Sequence, residues 1–168
     1  MDKDLTHLSF VKYFLAKSIG CLNPRAAICI REDVNVMNAL AILREKKVGY
    51  VVITNAEGYV VGIFTERDVL NKIKSDEQLK DGVTEYMTKN PHCELITSSI
   101  AHALTLMSEG GYRHIPIIDD FGKPIAAISV SDVVNHITRT LDKYYKELCL
   151  MADFVSDKPK SPKSDDKH

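Results

Sequence analysis

Two short segments carry a hydroxyl and, three residues later, a carboxylate: Thr65-Glu66-Arg67-Asp68 and Ser129-Val130-Ser131-Asp132. Each follows an apolar, β-prone run, so the hydroxyl falls where a strand hands over to a helix. There it can accept from backbone N–H groups as an N-cap, with the acid at the positive end of the helix. The same groups also suit a ribose phosphate. A carboxylate accepts from both ribose hydroxyls, and a hydroxyl with free N–H groups holds phosphate at a helix start. Both readings stand at this level. Between the two segments, Tyr112-Arg113-His114-Ile115-Pro116 offers a guanidinium fork and an imidazole that titrates near neutrality. Arg113 also reads as a surface charge, and His114 as an ordinary strand residue.

Little else in the chain invites chemistry. Its four cysteines, Cys21, Cys29, Cys93 and Cys149, form no CxxC pair. Cys29 and Cys93 lie in apolar stretches and read as small buried hydrophobes. Adjacent His92 and Cys93 lack the second cluster that a metal site needs, so no metal is expected. There is no P-loop, GxSxG or HExxH, and the six histidines (7, 92, 102, 114, 136 and 168) are scattered. His102 and His136 fall on predicted helices, as surface or packing residues. No enzyme and no catalytic cofactor are expected. The balance of 22 basic against 23 acidic residues gives a net charge of −1, which exerts no long-range pull on nucleic acid or anionic membranes. No apolar run approaches the roughly 18 residues of a membrane span, and the start lacks a signal-peptide pattern, so the cytoplasm is the expected location.

The elements that must hold these groups come as a repeat. Shifting the chain by 64 positions places Ala39-Leu40 on Ala103-Leu104, Leu43 on Met107 and Ile53 on Ile117. Gly58 falls on Gly122, Asp68-Val69 on Asp132-Val133, Asn71 on Asn135 and Ile73 on Ile137. Each copy begins with a short strand (Ala26–Ile30 in the first). A helix follows, opening near Asp33 with Val36, Ala39, Leu40, Leu43 and Val48 at helical spacing. Then come the strand Gly49–Ile53, a turn at Asn55–Gly58, the strand Val60–Phe64 and a helix over Arg67–Lys74. The second copy predicts a helix at Ser99–Gly110, strands Ile115–Ile118 and Pro124–Ile128, and a helix over Ser131–Ile137. The order is β-α-β-β-α. Units this small cannot bury a sheet face alone, so the two should pack together.

That order, with Gly62-Ile63-Phe64-Thr65-Glu66-Arg67-Asp68 at the second strand-to-helix junction, resembles the CBS domain, and two in tandem resemble a Bateman module. The second copy, Ala126-Ala127-Ile128-Ser129-Val130-Ser131-Asp132, keeps the hydroxyl and the acid but has alanine for the glycine. The resemblance implies an α/β (α+β) fold of two repeats packed sheet to sheet with pseudo-two-fold symmetry, plus flanking helices. It implies an adenosine ligand between the halves, with AMP, ADP or ATP foremost. S-adenosylmethionine is the variant, since its sulfonium needs no arginine. Ribose contacts carry over to Asp68 and Asp132, and hydroxyl or phosphate contacts to Thr65, Ser129, Arg113 and His114. Apolar and backbone contacts to adenine fall near Ile28, Tyr50 and Val51 in one site and His92, Ile115 and Pro116 in the other. At the offset of Arg113 and His114 the first copy has Gly49 and Tyr50, with no base.

The organisation expected is an N-terminal helix and linker at 1–24, repeats at 25–76 and 87–138, a linker at 77–86, a C-terminal helix at 139–156 and a disordered tail at 157–168. Leu5, Leu8, Val11, Phe14 (or Leu15) and Ile19 form one apolar helix face. Val134, Ile137, Leu141, Tyr144, Leu148, Met151 and Val155 form another. Either face could cover its own sheets or seal a homodimer, the pairing common to Bateman modules. With no output domain recognisable, the expected role is regulatory: a ligand binds in the cleft and a separate protein reads the change in shape. The alternative is a dimeric adaptor that binds no nucleotide.

Overall fold

Two hairpins organise the chain. In the first repeat β3 (Tyr50–Thr54) pairs antiparallel with β4 (Val60–Thr65), and in the second β7 (His114–Ile118) pairs with β8 (Pro124–Ser129). The structure is a computed structural model and describes residues 11–156. It divides into two units, one ending at Val133 and the other beginning at Val134. Gly58 and Gly122 close the hairpins at φ +81° and +78°, a conformation that costs a side chain. Both hairpins carry a register shift at the same place, between Ile53 and Thr54 and between Ile117 and Ile118.

Each hairpin is preceded by a short parallel strand and a helix. β2 (Cys29–Arg31) and α1 (Val36–Lys46) belong to the first repeat, β6 (Glu94–Leu95) and α3 (Ile100–Gly110) to the second. α1 opens later than expected, and Asp33 before it pairs with Arg31 at 2.8 Å. Asn35 caps the helix instead, accepting from the Asn38 N–H at 2.8 Å. Ser99, its repeat counterpart, does the same for His102. Val48 lies outside α1, beyond the left-handed cap at Lys47. α1 buries Val36, Ala39 and Leu43, and α3 buries the equivalent Ile100, Ala103 and Met107.

The expected strand Ala26–Ile30 breaks in two. β1 (Arg25–Ala26) pairs with β8 of the other repeat, while β2 pairs with β3 of its own. The mirror exchange occurs after the first repeat, where β5 (Thr88–Lys89) pairs with β4. The sheets therefore run β2-β3-β4-β5 and β1-β8-β7-β6. The Ile19 N–H donates to Ser98 and the Ile100 N–H to Lys17; sixty-four residues on, Val83 donates to Val34 and Val36 to Asp81. Each arm that leads into one repeat thus clasps the other. Val51, Val52 and Ile53 are all fully buried, so β3 is covered on both faces. Cys29 corrects the buried-cysteine expectation: on an edge strand of exposed-buried-exposed pattern, Ile30 turns inward and Cys29 outward. Cys93 is half-buried.

In β4, the Gly62 Cα lies against the Met87 side chain, and an added Cβ would overlap the thioether. The second repeat has Ala126 there, and position 23, equivalent to Met87, is asparagine. Gly62→Ala is expected to cost about 1 kcal/mol by urea unfolding, because buried Met87 must repack. A Met87→Ala background should remove that penalty. If it persists there, the strand backbone is its source.

The first repeat continues into α2 (Glu66–Lys72), the second into α4 (Val130–Ser156). α4 runs on through the expected break near residue 138, since no glycine or proline interrupts it. Ion pairs at i,i+4 reinforce it, Asp142 with Lys146 at 2.8 Å and Lys143 with Glu147 at 3.9 Å. At the other end residues 11–16 are helical. Phe14 is buried there, but Val11 is half exposed and Ile19 belongs to a separate 3-10 turn, Ile19–Leu22. Leu5, Leu8 and the tail 157–168 lie outside the described residues, as do the side chains of Leu148, Met151 and Val155. Among the described residues no helix is long and apolar enough to cross a membrane.

Candidate ligand cleft

At the end of β4 the Thr65 hydroxyl and the Asp68 carboxylate lock together. The Thr65 N–H and Oγ1 both donate to Asp68 Oδ2, at 2.9 and 2.7 Å, and the Asp68 N–H donates back to Thr65 Oγ1 at 3.3 Å. This is a reciprocal capping box, so the capping reading of the motif holds. Ser129 and Asp132 repeat it, with both donations at 2.7 Å and the return at 3.3 Å. The two sites then part. Asp68 is buried, and its second oxygen meets Lys72 Nζ at 2.7 Å, with Lys72 also donating to the Tyr86 carbonyl. For Asp132 the residue four positions on is histidine, His136, where Lys72 follows Asp68.

Thr65 and Asp68 line a cleft of about 300 Å³, together with Gly49, Ile63, Glu66 and Arg67 of the first repeat. Its other wall is the second repeat, with Tyr112, Arg113 and His114, joined by Thr88, Pro91 and His92. The basic pair of one repeat therefore faces the hydroxyl–acid pair of the other. Arg67 and Arg113 are both exposed, and neither guanidinium makes an ion pair or hydrogen bond among the described residues. His92 packs its ring on Tyr112 at 5.6 Å between centroids, and Gly110 leaves room for that tyrosine where any side chain would collide.

His114 sits deeper, its ring 4.4 Å from that of Tyr50, the residue it replaces in the repeat. Its Nδ1 is buried without a hydrogen-bond partner among the described residues. Burial pushes the imidazole below its ordinary pKa of 6.5; Asp132 pulls it back up, and Arg113 and Arg67 press it down. Burial likewise pushes the Tyr50 phenol up, with Asp132 adding to the shift.

The cleft thus brings together Thr65, Asp68, His92, Arg113 and His114 of the residues singled out from sequence. It does not include Ser129 or Asp132. Nor do Ile28, Tyr50, Val51, Ile115 and Pro116 line it. Val51, Ile115 and Pro116 are buried within the hairpins, Ile28 packs on the first repeat's core, and Tyr50 is turned to His114. Sequence reasoning passed over Arg67. A cation in the first turn of a helix opposes the helix dipole, and that local mismatch was the available signal.

The CBS domain family matches this chain twice, at residues 19–75 and 83–139. The chain belongs to that family. A 17.7 kDa protein encoded in the bps2 3′ region of Acidianus ambivalens is 32% identical over 71% of this chain and 72% of its own. The Arabidopsis thaliana CBS domain-containing protein CBSCBSPB5 is 25% identical over 70% of this chain but only 22% of its own length. Among solved structures, the CBS-domain protein ATU1752 of Agrobacterium tumefaciens is 32% identical at a TM-score of 0.64, covering 71% of this chain and 96% of its own. The fold is shared with CBSX2, solved with AMP, at 22% identity and TM-score 0.63 over 73% of this chain and 97% of that one. It is shared too with the CBS pair of MJ0100, solved with 5′-methylthioadenosine and S-adenosylmethionine. That pair has 21% identity and TM-score 0.65 over 75% of this chain and 98% of its own. The two β-α-β-β-α units are therefore CBS domains in tandem.

Proposed function

We propose that this CBS pair binds a phosphorylated adenosine compound, AMP, ADP or ATP, in the cleft between Thr65–Asp68 and Arg113. The observation that carries the reading is the pair of unpartnered guanidiniums, Arg67 and Arg113, lining one cleft with a hydroxyl–carboxylate pair. Arginine recognises phosphate through a planar fork of donors, and here neither guanidinium is tied up by the Glu66 and Asp68 carboxylates that share the cleft. S-adenosylmethionine brings a sulfonium and suits this wall less well. At the equivalent positions the other half has Gly49 and Ser131 where this cleft has Arg113 and Arg67, so one anionic ligand per chain is the reading. Relatives solved with AMP or with S-adenosylmethionine support an adenosine scaffold.

The regulatory step follows from the cleft's two walls. A ligand gripping residues of both repeats favours one angle between them, and a separate protein reads that preference. The pair acts as a homodimer in this reading. Leu70 on α2 exposes 78% of its surface, apolar area suited to a second copy. Calorimetric titration with AMP, ATP, adenosine and S-adenosylmethionine tests the ligand. Saturable AMP binding at one per chain, with S-adenosylmethionine weaker, is expected. Silence from all four to millimolar concentration would leave the adaptor role instead.

A further inference from the structure

Among the described residues, His114 is the one side chain of the cleft with a buried polar atom that lacks a partner, and it stands within reach of opposing charges. Arg113, from the bend just before the strand, and Arg67, from α2, oppose a proton on the ring. From α4, Asp132 favours one. From β3 the Tyr50 ring lies against it, tilted by 38°, and Glu66, Asp68, His92 and Tyr112 complete the titratable lining of the cleft. Without ligand, the neutral imidazole suits this setting. With hydrogen on Nε2, the buried Nδ1 keeps only a lone pair, which costs less than a buried N–H without an acceptor.

We propose that His114 is neutral in the ligand-free protein and takes up one proton from solvent when a phosphate group settles against Arg67 and Arg113, so that the cleft holds anionic ligands more tightly as the pH falls. The inference rests on the phosphate reading of the cleft. The phosphate's negative charge cancels the two guanidinium charges that oppose protonation, while the Asp132 charge that favours it is unchanged. The Tyr50 face then meets an imidazolium, turning a ring contact into a cation–π contact. The direction of the pH dependence follows from linkage. A ligand that raises the pKa of a base binds most tightly where the base is already protonated. Affinity is therefore level below the free-protein value, which lies under 6.5, and falls as pH rises from there to the bound-state value. Each unit by which the ligand raises that value tightens low-pH binding about tenfold.

The test is calorimetry of AMP binding between pH 5 and 8, in buffers of differing ionisation heat, for the wild type and His114→Phe. Phenylalanine keeps a ring against Tyr50 but cannot titrate. The phosphate's own ionisation near pH 6 is common to both proteins and cancels in the comparison. Expected is extra proton uptake, approaching one per AMP, in the wild type only, and a wild-type-to-variant affinity ratio that rises as pH falls. Adenosine should elicit none. Equal uptake in the two proteins, or equal uptake with adenosine, would overturn the proposal while leaving the phosphate cleft standing. No AMP binding by the wild type at any pH would overturn both. If His114→Phe does not fold, the His114 ring-proton NMR shift of the wild type, titrated with and without AMP, decides. A pKa unmoved by AMP refutes the proposal.

Discussion

Replacing Arg113 with alanine is expected to weaken AMP binding ten- to hundredfold while leaving adenosine binding within about twofold. The size follows from losing a charge-assisted contact, roughly 1.5–3 kcal/mol. Arg113 is exposed and bound to nothing among the described residues, so its removal leaves no group orphaned and should not disturb the fold. Arg67→Ala should behave alike, and the double variant should lose less than the product of the two, because both charges serve one phosphate. Arg113→Lys keeps the charge but not the fork, and should recover only part of the affinity. Raising the salt concentration should narrow the gap between wild type and variant, since the site is open to solvent. Paired titrations with AMP and adenosine read all of this. Equal losses for both ligands would make Arg113 a structural residue and remove phosphate from the reading of the cleft.

Much of this architecture was open to reading in advance. The offset of 64 residues put Val36 on Ile100, Ala39 on Ala103 and Leu43 on Met107, and those are the buried faces of α1 and α3. Helical and strand periodicities report which side of an element is buried, and both copies report alike. The exchange of arms was not legible. β1 and β5 are two-residue strands without periodicity, and nothing local says that Arg25–Ala26 pairs across to Ala126–Ala127. α4 outran its expected end for a related reason: the sequence signals helix strongly but stops weakly. In the cleft, Thr65 and Asp68 were visible through a hydroxyl–carboxylate spacing that recurs at Ser129 and Asp132, and Arg113 through the basic pair ahead of Ile115-Pro116. Which half-site the arginine joins depends on how the repeats face each other, a tertiary fact. The apolar residues singled out for adenine fared differently. Val51 and Ile115 are β-rich core positions first, and apolar character alone does not separate a wall from a core.

Asp68→Ala is expected to cost stability as well as affinity, and more of both than a comparison of the two motifs suggests. The carboxylate holds three donors: the Thr65 N–H, the Thr65 hydroxyl and Lys72. Losing the cap alone costs about 1 kcal/mol. Losing the partner of Lys72 adds to this, though less than the 3–5 kcal/mol typical of a fully buried pair, because the lysine side chain is 41% exposed and can rehydrate. A total of about 2–3 kcal/mol follows, read as a lower urea midpoint at unchanged m-value. Asp132→Ala removes the same cap without a lysine and should cost only about 1 kcal/mol. In binding, Asp68→Ala should weaken AMP and adenosine together, by tenfold or more, since the ribose belongs to both. This pattern is the complement of that for Arg113. One residue distinguishes the two ligands and the other does not, the pattern expected of a cleft that takes ribose at Asp68 and phosphate at Arg113. If Asp68→Ala spares adenosine while the protein stays folded, the carboxylate is a cap and nothing more.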